Sequence, residues 1–231
     1  MSKLAQGCVA EFLGTFALVF FGVGSIILTQ PATGGAGSLV TVALAHGLIL
    51  SIFVTACMYV SGAQFNPAVS IALAVIGKQS GKQAAAFILA QLLAAACGAG
   101  LWQLVLGPGT ANADAVKLGA TIGSLTVAGD TPAVLGIEVV LTFALMVSIL
   151  MGTVDERAHK LGGFTIGLTV AACILAAGPL TGASMNPART FGPALCGRHW
   201  DMHWVYWAAP LLGATAAALV YRSVWAAPRA R

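Results

Sequence analysis

Charged side chains are scarce in this chain of 231 residues. Asp, Glu, Lys and Arg make up only 8% of the sequence, whereas hydrophobic residues make up 58%. Because a soluble globular domain carries about 25% charged residues, the composition excludes an ordinary soluble protein. Six apolar blocks match bilayer-spanning helices of roughly 20 residues, although the fifth is short and by length alone could be partly a re-entrant element. They lie at about 6–29, 39–60, 83–106, 132–152, 162–178 and 203–226, and they predict an all-α membrane protein with six transmembrane helices.

The residue patterns that carry catalytic or metal chemistry are missing too. The five cysteines show no CxxC spacing, and the sequence contains no recognisable nucleophile–base pair, metal-ligand cluster or phosphate-binding loop. We therefore predict that the protein is not an enzyme and holds neither a cofactor nor a metal ion.

The few basic residues divide unevenly between the two sides of a six-span topology. Eight lie on the side of the two termini and two on the other side. Because basic loops stay in the cytoplasm, this bias predicts cytoplasmic termini, and it explains the net charge of +4 without nucleic-acid binding. The Ala- and Arg-rich ending suggests a bacterial inner membrane. The eight are Lys3, Lys78, Lys82, Arg157, Lys160, Arg222, Arg229 and Arg231, and the two are Lys117 and Arg198.

Asparagine is also rare, and its placement is informative. Two of the three asparagines begin the tripeptides Asn66-Pro67-Ala68 and Asn186-Pro187-Ala188. Asn is a good helix N-cap and Pro suits the first helical position, so each tripeptide predicts a helix start. The segments that follow, at about 67–77 and 187–197, are too short to span a bilayer. They predict two re-entrant half-helices.

The chain also repeats itself. The pattern Glu-x-x-x-Thr-Phe-Ala-Leu begins at Glu11 and again at Glu138, and Asn-Pro-Ala recurs 120 residues after its first copy. Since each half holds three spans, the second half must enter the membrane from the opposite face, which makes an inverted repeat. We predict one channel domain over 1–231, with repeat 1 at about 1–106, a connecting loop at about 107–131 and repeat 2 at about 132–231.

Three charged residues fall within the predicted membrane region, where each needs a partner or a water-filled surface. Glu11 and Glu138 occupy equivalent repeat positions, and we expect them to accept hydrogen bonds from the non-helical backbone that leads to each motif. A proton relay is the alternative. Arg189 has no counterpart, because Val69 stands at the matching position. An arginine near a pore mouth would bind neutral solutes and repel cations, whereas the alternative is an arginine snorkelling from a helix end.

These features together resemble the aquaporin, or major intrinsic protein, family over essentially the whole chain. The resemblance implies a right-handed bundle of six transmembrane helices with two half-helices, in a homotetramer with one pore per subunit. It implies passage of water with exclusion of protons and ions. In such a pore Asn66 and Asn186 donate to a water molecule, and Leu18 and Leu145 form part of an apolar wall. The backbone carbonyls before the motifs, at Gly62, Ala63, Gln64, Phe65, Gly182, Ser184 and Met185, then offer acceptors.

The resemblance also implies an outer selectivity filter. Carrying over family positions gives His46, Ile174, Ala183 and Arg189. This set departs from the common water-selective pattern and resembles plant vacuolar (tonoplast) intrinsic proteins, so we expect a wider filter that passes water and ammonia. An alternative for His46 is a packed histidine inside the membrane. Thr190 stands where the glycerol branch of the family has Asp.

Other functions stay open at this point. A glycerol- or urea-type facilitator shares the fold. An ion-coupled secondary transporter also uses inverted repeats and half-helices, but it would need a coupled ion site. A structural membrane protein would not require Arg189.

Overall fold

The computed structural model of the chain describes residues 1–33, 36–107, 116–158 and 161–225. These residues form helices joined by short connections, without a β-strand among them. Lys160, Arg229, Arg231 and the Ala- and Arg-rich ending lie outside the described residues, as do residues 108–115 of the predicted connecting loop. The α-helices are α1 (Lys3–Thr33), α2 (Ala36–Ser61), α3 (Pro67–Val75), α4 (Gly81–Leu106), α5 (Ser124–Val127), α6 (Thr131–Ile149), α7 (Gly162–Thr181), α8 (Pro187–Gly197) and α9 (Val205–Val224).

Six of these helices are long. By length and composition α1, α2, α4, α6 and α7 can each cross a membrane, and α6 continues through a π-turn at Leu150–Val154. The sixth, α9, has 20 residues but includes Pro210 and Arg222, which make it less apolar. It still packs closely in the bundle, because a Cβ atom at Gly213 would lie only 2.3 Å from the carbonyl oxygen of Val139 on α6. The predicted all-α membrane fold is confirmed.

The two halves of the chain meet at a glycine pair. A Cβ atom at Gly47 on α2 would lie 2.7 Å from the carbonyl oxygen of Gly167 on α7, and one at Gly167 would lie 2.1 Å from that of Gly47. The two glycines are equivalent in the repeat. Small residues let helices approach closely in lipid, and a reciprocal contact between equivalent residues is the signature of a two-fold relation.

The half-helices begin as their sequences dictate. Asn66 caps α3 and Asn186 caps α8, each with extended backbone, and a proline follows in the first turn. The helices have 9 and 11 residues, too few to cross a bilayer. We call the side where α1 begins and α9 ends the terminal face, and the side that carries residues 116–127 the loop face. From the midplane, α3 runs toward the terminal face and α8 toward the loop face.

Candidate pore

The two asparagines join the half-helices at the centre of the bundle. Asn66 Nδ2 donates to the carbonyl oxygen of Met185 at 2.8 Å, and Asn186 Nδ2 donates to that of Phe65 at 2.8 Å. Each Oδ1 atom accepts from its own helix, at Ala68 N and at Ala188 N. An amide nitrogen carries two N–H donors, so each asparagine has one donor left. Both side chains line the central cavity.

The backbone before each motif is held in an unusual conformation. Ala63 and Phe65 have φ of 48° and 49°, and their equivalents Ala183 and Met185 have φ of 43° and 53°. Residues other than glycine rarely adopt these backbone angles, because each such residue costs about 1–3 kcal/mol. Because every second residue from Ala63 to Phe65 and from Ala183 to Met185 has a positive φ, successive peptide groups point in different directions. Buried hydrogen-bond acceptors must hold this backbone conformation in place.

Glu11 supplies those acceptors in the first repeat. Its carboxylate accepts from Gln64 N at 2.9 Å, from Phe65 N at 2.6 Å and from the Ser61 hydroxyl at 2.6 Å. Gln91 on α4 adds a fourth bond, with Nε2 at 2.8 Å from Glu11 Oε2. The buried acid therefore satisfies backbone donors that have no helical partner.

Glu138 does the same in the second repeat. It accepts from Ser184 N at 2.9 Å, from Met185 N at 2.8 Å and from the Thr181 hydroxyl at 2.8 Å. Neither Glu138 nor Glu11 lines the central cavity, so both act from behind the pore wall.

A narrow cavity, with a volume of about 30 Å³, runs along these segments. Of the residues predicted for the pore, the following line it: Leu18, His46, Ala63, Gln64, Phe65, Asn66, Leu145, Ile174, Ala183, Ser184, Met185, Asn186 and Arg189. Gly182 lines a wider vestibule at the loop face, which opens toward solvent. Gly62 lines neither the cavity nor the vestibule. The other residues of the two motifs lie buried within the half-helices beside the cavity: Pro67, Ala68, Pro187 and Ala188.

Most of the apolar wall was not predicted from the sequence. Leu50, Val54, Ile149, Ile166 and Val170 also line the cavity. A signal was available, because these residues continue a helical spacing of four from His46, Leu145 and Ile174. Residues four apart lie on one helix face, so each filter residue marks the stripe that faces the pore.

Arg189 and His46 touch at the junction between the cavity and the vestibule. Arg189 donates to the carbonyl oxygen of Gly119 at 3.0 Å, and its other terminal nitrogen lies 3.3 Å from His46 Nε2. His46 Nδ1 lies 2.8 Å from the carbonyl oxygen of Val42. Because a carbonyl only accepts, the proton of neutral His46 lies on Nδ1, and Nε2 accepts from Arg189. Both ring nitrogens are therefore occupied within the protein.

Space for the His46 ring comes from Gly22 on α1. A Cβ atom there would lie 2.3 Å from His46 Nε2. The equivalent position in the second repeat is Ile149, which lines the cavity itself. Where the second repeat has the side chain of Ile149, the first repeat has a glycine, and the space left at Gly22 is taken by the His46 ring.

Hydrogen bonds connect the loop-face segment, residues 116–127, to α8 and α9 behind the filter. Thr121 donates to the Thr190 hydroxyl at 2.9 Å, and Thr190 shares a further hydrogen bond with Ser184. Thr126 bonds to the Tyr206 hydroxyl at 2.8 Å. These bonds place the Gly119 carbonyl against Arg189. No sequence pattern indicates this contact, because it joins residues 70 apart through a main-chain carbonyl.

Comparison with known proteins agrees with this arrangement. The major intrinsic protein family model matches residues 1–221. Aquaporin TIP4-4 of Zea mays is 42% identical, over 96% of this chain and 88% of its own length. Aquaporin-8 of Mus musculus is 38% identical, over 95% of this chain and 82% of its own length. The crystal structure of the aquaglyceroporin from Plasmodium falciparum superposes with a TM-score of 0.84 at 26% identity, over 96% of both chains. The chain therefore belongs to the major intrinsic protein family, the aquaporins, which are channels in the membrane for water and small solutes.

Proposed function

We propose that the protein is a passive channel for water that excludes protons and ions. The observation that carries this proposal is the pair Asn66 and Asn186, each with one amide N–H left at the centre of an otherwise largely apolar cavity. The backbone carbonyls of residues 62–65 and 182–185, the segments with positive φ before each motif, supply acceptors on the two sides of this point. A water molecule at the asparagine pair would give both lone pairs to the amides and turn its own protons away from them.

Exclusion of cations follows from the same arrangement. The N-termini of α3 and α8 both point at the asparagine pair, and a helix N-terminus carries roughly half a positive charge. Arg189 adds a full charge at the loop-face end. A hydrated cation would meet positive potential at both places, whereas a neutral solute would not.

We extend the proposal to ammonia. Both nitrogens of His46 are engaged, Ile174 is apolar and Ala183 is small, so the filter has few groups that replace the hydration of a solute. Ammonia costs less to desolvate than water does, and it is similar in size. The likeness to a plant aquaporin of the tonoplast-intrinsic type supports this extension.

We place both termini in the cytoplasm, with the terminal face inward, because basic residues concentrate there. A homotetramer with one pore per subunit is proposed from family membership. Location in a bacterial inner membrane stays a prediction. A glycerol facilitator is the second candidate, since the superposed crystal structure is an aquaglyceroporin.

The experiment is stopped-flow light scattering on proteoliposomes, with water, ammonia, glycerol and proton fluxes measured on one preparation. We expect water and ammonia flux above empty liposomes without a proton current. Ala183→Trp should block the cavity, whereas Leu93→Trp on the lipid-facing surface, 63% exposed, should not. Glycerol flux would favour the second candidate. Dependence on an ion gradient would indicate a coupled transporter, and no flux from folded protein would indicate a structural role.

A further inference from the structure

Gln64 lines the central cavity toward its terminal-face end, and the residue is 8% exposed. Its main-chain N–H is held by Glu11 at 2.9 Å, but that bond fixes only the backbone. A glutamine side chain is uncharged and turns about three bonds. Unless something holds it, it can swing into the space through which solute must pass.

Gln79 holds it. Gln64 Nε2 donates to Gln79 Oε1 at 2.8 Å, and Gln79 Nε2 donates back to Gln64 Oε1 at 3.2 Å. Gln79 Nε2 also donates to the carbonyl oxygen of Ser70 on α3 at 2.7 Å. The two amides thus form a closed ring of two hydrogen bonds that is anchored to the half-helix. One N–H of Gln64 remains for a passing molecule.

The end of α3 explains why Gln79 reaches this place. Lys78 N donates to the carbonyl oxygen of Leu73 at 2.9 Å, and Gly77 N donates to that of Ala74 at 3.0 Å. Gly77 has φ of 75°, which completes a Schellman motif. This motif reverses the chain after the half-helix, so Gln79, which follows Lys78, turns back toward Gln64.

The second repeat solves the same problem differently. Ser184 is equivalent to Gln64, and its short side chain donates to the carbonyl oxygen of Asn186 at 3.0 Å within its own segment. It needs no partner from the turn after α8. The requirement for a distant positioning residue is therefore specific to the first repeat, where the residue that lines the cavity at this position has a long side chain.

We propose that Gln79 is a positioning residue for solute passage, which keeps the side chain of Gln64 against the cavity wall by pairing with its amide. The inference rests on the proposed function, because it concerns how water enters or leaves at the terminal face. Gln79 itself does not line the cavity. Its effect is exerted through Gln64.

The test is a double-mutant series in proteoliposomes with equal amounts of folded protein. Gln79→Met keeps the volume and removes the amide, so the side chain of Gln64 is released. The loss of two neutral hydrogen bonds changes the ratio of held to released Gln64 side chains by about tenfold. We therefore expect water permeability to fall by about threefold or more. In the Gln64→Ala background, Gln79→Met should cause no further fall, because there is no side chain left to release.

The control is Gln83→Met, at the same face on the first turn of α4. Unchanged permeability in Gln79→Met, or an equal loss with and without the side chain of Gln64, would overturn the proposal. If the Met variant does not fold, Gln79→Glu serves instead, since an ionised carboxylate accepts from Gln64 but cannot donate back. Failure of the proposed function is seen separately, as a wild-type chain that carries no water, and it would remove this inference as well.

Discussion

The two ends of the central cavity are built on equivalent backbone and carry different side chains. At the loop face stand His46, Ile174, Ala183 and Arg189, and the positions 120 residues away are Ile166, Val54, Ala63 and Val69. All eight line the cavity. At these four pairs of positions the loop-face end therefore includes polar and charged side chains, whereas the terminal-face end carries apolar ones. The repeat therefore supplies the shape of the passage, and we expect the side chains that distinguish between neutral solutes to lie at the loop-face end.

The backbone scaffold is the shared part, and breaking it should have the largest effect. In Glu138→Ala the buried N–H groups of Ser184 and Met185 lose their acceptor, at about 1–3 kcal/mol for each. We expect a large fall in Tm in detergent and loss of water flux. Glu11→Ala should be at least as damaging, because Glu11 also receives Gln91. The exposed Glu156→Ala is the control, and an unchanged Tm in either buried variant would contradict this account.

Converting the charged end into a copy of the apolar one should come next in size. Arg189→Val reproduces Val69 at the loop face. We expect water flux to persist and proton or cation leak to rise by about tenfold or more, since the loss of about 1.4 kcal/mol from a barrier raises a rate by that factor. The measurement is dissipation of a pH gradient reported by an entrapped dye. Arg222→Ala removes an exposed arginine elsewhere and should leave the leak low. A tight Arg189→Val channel would show that the half-helices alone exclude protons.

Much of this comparison could be predicted from sequence, because it rests on local rules. The helix starts at Asn66 and Asn186 follow from capping preferences. The equivalent roles of Glu11 and Glu138 follow from the repeat. The contacts that distinguish the ends could not. Arg189 meets a main-chain carbonyl of Gly119, and Gln64 meets Gln79 through a turn whose direction depends on Gly77. Such contacts depend on three-dimensional distances that no spacing encodes.

Gly22 offers a sharper test of the same difference, with an intermediate effect. The residue makes room for the imidazole, and a Cβ atom there would lie 2.3 Å from His46 Nε2. Gly22→Ala should push the ring into the cavity and reduce water flux by about threefold or more, since overpacking shifts side chains rather than leaving them in place. Gly136→Ala is the matched control, because a Cβ atom there meets nothing within 4 Å. If both variants conduct alike, the ring has room to move elsewhere.

The smallest expected effect lies outside the pore, where the two faces differ in how the chain is secured. At the terminal face Asp155 accepts from Arg157 at 2.7 Å through both oxygens and from the Tyr221 hydroxyl at 3.0 Å. Arg157 also donates to the carbonyl oxygen of Trp225, just after α9. Leu28 stands at the equivalent repeat position and is 57% exposed. The terminal face therefore has a charged clamp that joins the segment after α6 to the end of α9, and the equivalent position in the first repeat is the apolar Leu28.

Asp155→Asn should test this clamp through a small fall in Tm. The hydrogen bonds from Arg157 hold the pKa of Asp155 well below its usual range. A lowered pKa in the folded state adds stability above the unfolded value of about 3.9, and that stability is lost as the pH falls toward the folded pKa. The Tm difference between wild type and Asp155→Asn should thus stay constant from pH 8 to about pH 5 and shrink only below about pH 4. A difference that already shrinks between pH 7 and pH 6 would show that another titrating group, and not the carboxylate of Asp155, is responsible for the change in stability.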